Sequence, residues 1–66
     1  MRAFINGAEK EIETGMTISA LLVSLGLKKG MTVVELNGEI IGRDDFDSRS
    51  ISHGDKVEIV RFVGGG

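Results

Sequence analysis

The last three residues of the chain are glycines, and they follow a strand-like run without an intervening turn. Residues 56–63 alternate in a β pattern and pass directly into Gly64, Gly65 and Gly66. Three extended residues span at most about 10 Å, and glycine lets a backbone pass where a Cβ would clash. The sequence therefore predicts a tail that carries a terminal carboxylate off the folded body and into the cleft of another protein. A frayed, inert end is the plain alternative.

The other polar residues form no pattern that would support catalysis within the chain. His53 is the only histidine, and because no nucleophile or base is paired with it, we interpret it as an exposed turn residue. Several acidic residues cluster, but they lack the ligand pattern of a calcium loop. We therefore predict no metal site and interpret the following residues as solvated strand and turn residues: Glu9, Glu11, Glu13, Asp44, Asp45 and Asp47.

Length and composition exclude several classes of function. The 66 residues form one small domain, which leaves too little volume for a deep pocket, so we expect neither enzyme activity nor a bound cofactor. A net charge of −2 argues against a nucleic-acid partner. The chain lacks cysteine, and a disulfide-free domain of this size is typical of the cytoplasm. No segment has the pattern of a signal peptide or of a membrane span.

Two Asn-Gly pairs predict two β-hairpins. Residues 1–14 alternate on either side of Asn6-Gly7, the favoured pair for a two-residue turn because both positions take positive φ. A second pair, Asn37-Gly38, separates strand-like residues 32–36 from the short apolar run at residues 39–41. The sequence therefore predicts antiparallel pairing within each of these two segments.

Between the hairpins the apolar period changes to that of a helix. Thr17 is a suitable N-cap, and Gly26 fits the left-handed position that follows a helix end. The sequence predicts a two-turn helix over residues 18–25. Its apolar stripe follows the spacing i, i+3, i+4 and i+7 and forms a core face: Ile18, Leu21, Leu22 and Leu25.

The resulting order β–β–α–β–β–loop–β predicts an α+β fold of the β-grasp type. The helix must cover a sheet to bury its stripe, and the last strand is expected to lie centrally beside the first. Residues 42–55 are polar and are expected to be an irregular segment anchored by Phe46 and Ile51. The residues expected to face the helix are Met1, Ala3, Ile5, Ile12, Val34, Leu36, Val57 and Ile59.

The same alternation leaves apolar residues on the opposite face of the sheet. If Val57 faces the helix, Val60 and Phe62 face outward, and so does Phe4 on the first strand. A soluble chain has little reason to expose such a patch unless a partner covers it. We therefore predict a docking patch next to the glycine tail. A register shifted by one residue would instead place Val60 and Phe62 in the core.

The chain as a whole resembles the ThiS family, the sulfur carriers of bacterial thiamine biosynthesis. The resemblance covers the element order, the Asn37-Gly38 hairpin, the Gly54-Asp55 turn and the end of the chain, Val57-Glu58-Ile59-Val60-Arg61-Phe62-Val63-Gly64-Gly65-Gly66. It implies a β-grasp domain over residues 1–63 and a flexible glycine tail over residues 64–66. Similar tails occur in the small subunit of molybdopterin synthase and in other ubiquitin-like carriers.

The resemblance also implies a role for each residue of the tail and patch. The Gly66 carboxylate would be adenylated by a partner enzyme that uses ATP and then converted to a thiocarboxylate that donates sulfur. The implied partners are an E1-like adenylating enzyme, a thiazole synthase and a cysteine desulfurase system that supplies the sulfur. Gly64 and Gly65 would thread the partner's channel, and the residues expected to bind partners are Phe4, Val60, Arg61 and Phe62.

Two other interpretations stay open at the level of the sequence. The domain could be a ubiquitin-like module that only binds, with glycines that have no chemical role. It could also be a modifier that is joined to lysines of other proteins through Gly66. The sulfur could also be destined for molybdopterin or another product instead of thiazole, because that choice belongs to partner proteins.

Overall fold

The computed structural model of this protein describes residues 1–62, in which a single helix packs on a five-stranded sheet. The elements are β1 (Arg2–Ile5), β2 (Ala8–Glu11), α1 (Ile18–Ser24), β3 (Thr32–Leu36), β4 (Glu39–Ile41) and β5 (Lys56–Arg61). The strand order across the sheet is β2-β1-β5-β3-β4. β5 therefore lies in the centre although it comes last in the sequence.

The sheet is mixed, because β5 pairs differently with its two neighbours. It runs parallel to β1 and antiparallel to β3, and each outer strand is joined to its neighbour by a hairpin. A mixed sheet with two hairpins and one crossing helix is the β-grasp arrangement that the sequence predicts. The predicted central position of the last strand is confirmed.

Both hairpins turn at the predicted Asn-Gly pairs. Asn6 and Gly7 have φ values of 50° and 82°, and Asn37 and Gly38 have 52° and 85°. A two-residue turn of this kind requires positive φ at both positions, which asparagine tolerates and glycine adopts freely. The first hairpin is shorter than residues 1–14, because β1 and β2 pair from Arg2 to Glu11 and hydrogen bonds between Met1 and Ile12 extend the pairing by one position.

α1 begins and ends close to the predicted positions. The hydroxyl of Thr17 accepts a hydrogen bond from the backbone N–H of Ala20 at 3.1 Å, which satisfies one of the free donors of the first turn. The helix ends at Ser24, with Leu25 as its C-cap and Gly26 at φ 72°. Leu25 was expected in the buried stripe but is 37% exposed, because the chain already leaves the helix there.

One core fills the space between α1 and the sheet. Phe46 and Ile51 are 1% and 2% exposed, so the polar segment between β4 and β5 is anchored as predicted. Met1 and Ile59 are partly buried and pack against this core. The buried apolar residues are Ala3, Ile5, Ile12, Ile18, Leu21, Leu22, Val34, Leu36, Ile41, Phe46, Ile51 and Val57.

Two short 3₁₀ helices, at Lys29–Met31 and Arg43–Asp45, were not predicted. The first is tied to the start of β3, where the hydroxyl of buried Thr32 lies 3.3 Å from the carbonyl oxygen of Lys28 and 3.2 Å from that of Lys29. This hydroxyl is satisfied without water, which allows a polar residue to be buried there.

None of the helical segments within residues 1–62 has the length and apolar character needed to cross a lipid bilayer.

Candidate functional site

The candidate site is the outward face of β5, on the side of the sheet that α1 does not cover. Val57 is fully buried beneath α1, and alternate residues of a strand point to opposite faces. Val60 and Phe62 accordingly lie on the outward face, where they are 54% and 48% exposed. The predicted register is confirmed, and the alternative register that would bury these two side chains is excluded.

The apolar surface extends from β5 onto β3. Val33 lies directly opposite Val60 in the antiparallel pair and is half-buried. The backbone N–H of Phe62 donates to the carbonyl oxygen of Met31 at 2.9 Å, so pairing continues one residue beyond β5, beside exposed Met31. We call Val33, Val60 and Phe62 the open-face patch.

Val33 was not among the residues predicted to bind a partner. The signal for it is present in the sequence, because Val33 and Val34 are adjacent apolar residues in a strand and must face opposite sides of the sheet. One of the two therefore has to lie on the uncovered face. Because Val34 is expected to face the helix and is buried there, Val33 is the one that lies on the uncovered face.

Phe4 does not join the open-face patch. It shares the outward face, but it lies opposite Lys56 in the parallel pair of β1 and β5 and is half-buried. Lys56 precedes Val60 by four residues, a distance of about 13 Å along a strand, and Glu58 lies between them. Sequence reasoning placed Phe4 on the correct face, whereas the pairing register of β1 separates it from the patch.

Arg61 lies on the other face from the open-face patch. It is opposite Thr32, which is buried on the side of α1, and its own side chain is exposed. Arg61 takes no part in the ion pairs formed among residues 1–62. A partner that contacts both Arg61 and Phe62 would therefore have to reach around the end of β5.

The two Asn-Gly turns also hold β5 in place. The side-chain amide of Asn6 accepts from the backbone N–H of Ile59 at 2.7 Å and donates to the carbonyl oxygen of the same residue at 3.3 Å. The side chain of Asn37 accepts from the backbone N–H of Lys56 at 2.9 Å and donates to Asp55 at 3.0 Å. Turn residues on both sides of β5 thus extend its hydrogen bonding beyond the neighbouring strands.

Two of the other polar candidates, His53 and Asp47, have structural partners. Nδ1 of His53 accepts from the backbone N–H of Arg2 at 3.1 Å, which joins the turn before β5 to β1. Asp47 accepts a hydrogen bond from the hydroxyl of Ser19 and lies 3.9 Å from Nζ of Lys29. Within residues 1–62, no group of three or more histidine, aspartate or glutamate side chains is arranged to hold a metal ion.

The glycines of the tail lie outside the described residues. β5 leads toward them, because it ends at Arg61 and its backbone pairing continues through Phe62. The predictions for Gly64, Gly65 and Gly66 stay predictions at this point. The described part of the site is therefore a strand with an exposed apolar face, and in the sequence Val63 alone separates its last described residue from the glycines.

Comparison with known proteins relates the chain to proteins named ThiS. The Bacillus subtilis sulfur carrier protein ThiS is 44% identical over 54 residues, which cover 82% of this chain and 80% of that protein. The crystal structure of thiamine biosynthesis protein ThiS from Geobacter metallireducens superposes with a TM-score of 0.83 at 33% identity and covers 100% of both chains.

Two curated relatives are much longer than this chain. A thiazole synthase from Paramagnetospirillum magneticum is 41% identical and one from Magnetococcus marinus is 32% identical, both over all 66 residues. The chain spans only 20% of the length of each. Residues 2–66 match the ThiS family, and together with the B. subtilis relative and the shared β-grasp fold this match shows that the chain belongs to the ThiS family.

Proposed function

We propose that this chain is a sulfur carrier for thiamine biosynthesis and that the carboxylate of Gly66 is its working group. The observation that carries the proposal is the ThiS family match over residues 2–66, which runs through all three terminal glycines. The B. subtilis relative of similar length is named a sulfur carrier protein. In this role the chain is a co-substrate of partner enzymes in the cytoplasm and not an enzyme itself.

The chemistry divides between the carrier and its partners. A carboxylate is a poor electrophile, so an E1-like enzyme with ATP first converts the Gly66 carboxylate to an acyl-adenylate and releases pyrophosphate. The terminal sulfur of a persulfide, supplied by a cysteine desulfurase system, then displaces AMP. A thiol cleaves the sulfur–sulfur bond of the resulting acyl disulfide and leaves a thiocarboxylate on Gly66. The carrier itself binds no cofactor in this scheme, because ATP is used by the adenylating enzyme.

The sulfur acceptor we propose is a thiazole synthase. Two relatives named thiazole synthases contain a segment that is similar to this entire chain, so carrier-like and synthase sequences occur together in one polypeptide there. Docking would use the open-face patch, with Arg61 and Phe4 as further contacts, while Gly64 and Gly65 enter the partner's channel. No nucleic acid and no membrane has a part in this scheme.

The terminal residue provides the direct test of this function. We expect the chain purified from its native host to show, by intact-mass spectrometry, replacement of one oxygen by sulfur at Gly66. Deleting Gly66, or adding one residue after it, should abolish thiazole formation without changing the melting temperature, because the buried apolar residues of the core lie between Ala3 and Val57. Wild-type chain serves as the control in the same reconstituted reaction.

Two outcomes would contradict the carrier role. Thiazole formation by the chain that lacks Gly66 would show that its carboxylate is not the working group. A ladder of higher-mass conjugates in place of the thiocarboxylate would identify a protein modifier, the second role that the tail permits.

A further inference from the structure

Two glutamates face each other beside the open-face patch. Glu35 on β3 lies directly opposite Glu58 on β5, and both occupy positions that alternate away from buried Val34 and Val57. Side chains at directly opposite positions have Cβ atoms about 5 Å apart, and like charges there are destabilising. The fold therefore holds two carboxylates together on its uncovered face at a cost to its own stability.

The described residues supply no cation to this pair. The ion pairs within residues 1–62 involve Glu9, Glu11, Glu39 and Asp47 instead. Lys56 shares the outward face, but it lies two positions from Glu58 along β5 and forms none of these ion pairs. Among residues 1–62, neither Glu35 nor Glu58 forms an ion pair that would offset their mutual repulsion.

A partner that covers the open-face patch also covers the glutamate pair. The pairs Val33–Val60 and Glu35–Glu58 are consecutive outward-facing rows of the same two strands, about 7 Å apart. Ile40, 69% exposed, lies opposite Glu35 on the other side. Burying two like charges between apolar side chains without a counter-charge is strongly unfavourable. A protein that binds this face must therefore place a basic side chain at Glu35 and Glu58 and apolar side chains around it.

We propose that the adenylating enzyme docks on this face with an arginine side chain between Glu35 and Glu58. This inference rests on the proposed function, in which that enzyme is the first partner to receive the tail. A guanidinium group suits the site because its planar fork of donors can bind two carboxylates at once. The surrounding contact is with Val60, Phe62 and Ile40. A partner with an acidic or neutral surface at this point is rejected by the unpaired carboxylates.

The test separates binding from folding. Glu58→Gln and Glu35→Gln, each in the full chain, remove one charge and nearly preserve shape. We expect each variant to keep or raise the melting temperature, because the repulsion is relieved. We expect each to weaken binding to the adenylating enzyme of the same organism by about tenfold or more, because a buried charge contact is lost. Isothermal titration calorimetry gives Kd and differential scanning calorimetry gives the melting temperature.

Glu13→Gln is the matched control. It makes the same charge change on an exposed residue that follows β2, the edge strand that β1 separates from β5, and should leave Kd within about twofold, as expected for a distant surface charge. Raising the salt concentration should weaken wild-type binding more than binding of Glu58→Gln. Unchanged Kd for Glu58→Gln and Glu35→Gln would overturn the inference, and so would an effect confined to binding of the thiazole synthase.

Intact-mass measurements on the same samples distinguish a failure of the docking contact from a failure of the proposed carrier chemistry. Intact mass of the wild-type chain after incubation with enzyme, ATP and sulfur donor shows whether Gly66 becomes a thiocarboxylate. Weakened binding of the glutamine variants without a thiocarboxylate on the wild type would support the docking contact and contradict the carrier chemistry. A thiocarboxylate on the wild type together with unchanged Kd values would support the carrier chemistry and contradict the docking contact.

Discussion

Asn6 and Asn37 each have two functions in this molecule. Both adopt positive φ in a hairpin turn, and each uses its side-chain amide to pair with the backbone of β5. Asparagine suits both tasks, because it tolerates the left-handed conformation and its amide offers the same donor and acceptor as a peptide group. Glycine could replace asparagine in the turn but could not hold the strand.

The two side-chain contacts predict that replacing each asparagine speeds amide hydrogen exchange at a different residue of β5. Asn6→Gly should preserve the turn, destabilise the domain by about 1 kcal/mol through loss of two exposed hydrogen bonds, and speed amide exchange at Ile59. Asn37→Gly is the matched variant and should instead speed exchange at Lys56. Equal acceleration of exchange at all amides in both variants would show only global destabilisation. It would contradict the prediction that each asparagine side chain protects its own hydrogen-bonded position on β5.

β5 divides its side chains between two tasks. Val57 and Ile59 pack toward α1, whereas Glu58, Val60 and Phe62 face the uncovered side. A strand can do this because its period of two separates the faces completely. In the sequence only Val63 separates Phe62 from Gly64, so in the proposed function the enzyme that takes the tail would also contact Phe62. The folding contacts and the proposed docking contacts are therefore adjacent but do not overlap.

Phe62→Asp tests this division within β5. Phe62 is 48% exposed, so we expect the melting temperature to change little. Binding to the adenylating enzyme should weaken by about 2 kcal/mol or more, the scale of an interface hot spot, as measured by calorimetry. Val23→Asp introduces the same charge at a 77% exposed position of α1 and should leave binding unchanged. Loss of folding by Phe62→Asp would show that this side chain belongs to the core.

At the scale of the whole molecule, stability depends on one small core. The buried apolar side chains lie between α1, one face of the sheet and the segment that carries Phe46 and Ile51. A chain of this size buries only about 60% of its unfolded surface, so its net stability is expected to be modest. There is no second core that would compensate for damage to the first within residues 1–62.

Leu22→Ala should therefore remove a large part of the stability. Leu22 is 2% exposed on the core side of α1, and its truncation should destabilise the domain by about 2–5 kcal/mol, measured by urea denaturation. The adjacent Val23→Ala, at a 77% exposed position, should change the free energy of unfolding by less than about 0.5 kcal/mol. Similar effects of the two variants would contradict the assignment of the buried helix face.

Local signals account for most of what could be predicted. Asn-Gly pairs define the turns, the spacing of Ile18, Leu21 and Leu22 defines the helix face, and Thr17 marks the helix start. Each of these depends on backbone preferences within a few residues. The 3₁₀ helix at Lys29–Met31 was missed because it depends on buried Thr32, whose burial is decided by distant packing.

The sequence by itself determined the order of elements, the two turns, the helix face and the alternation that exposes Val60 and Phe62. Only the tertiary structure decided which residues become neighbours across strands. The register of β1 against β5 separates Phe4 from the patch, and that of β3 against β5 brings Glu35 opposite Glu58. The reason is physical: alternation is a local property of one strand, whereas register between segments far apart in sequence is selected by packing of the common core.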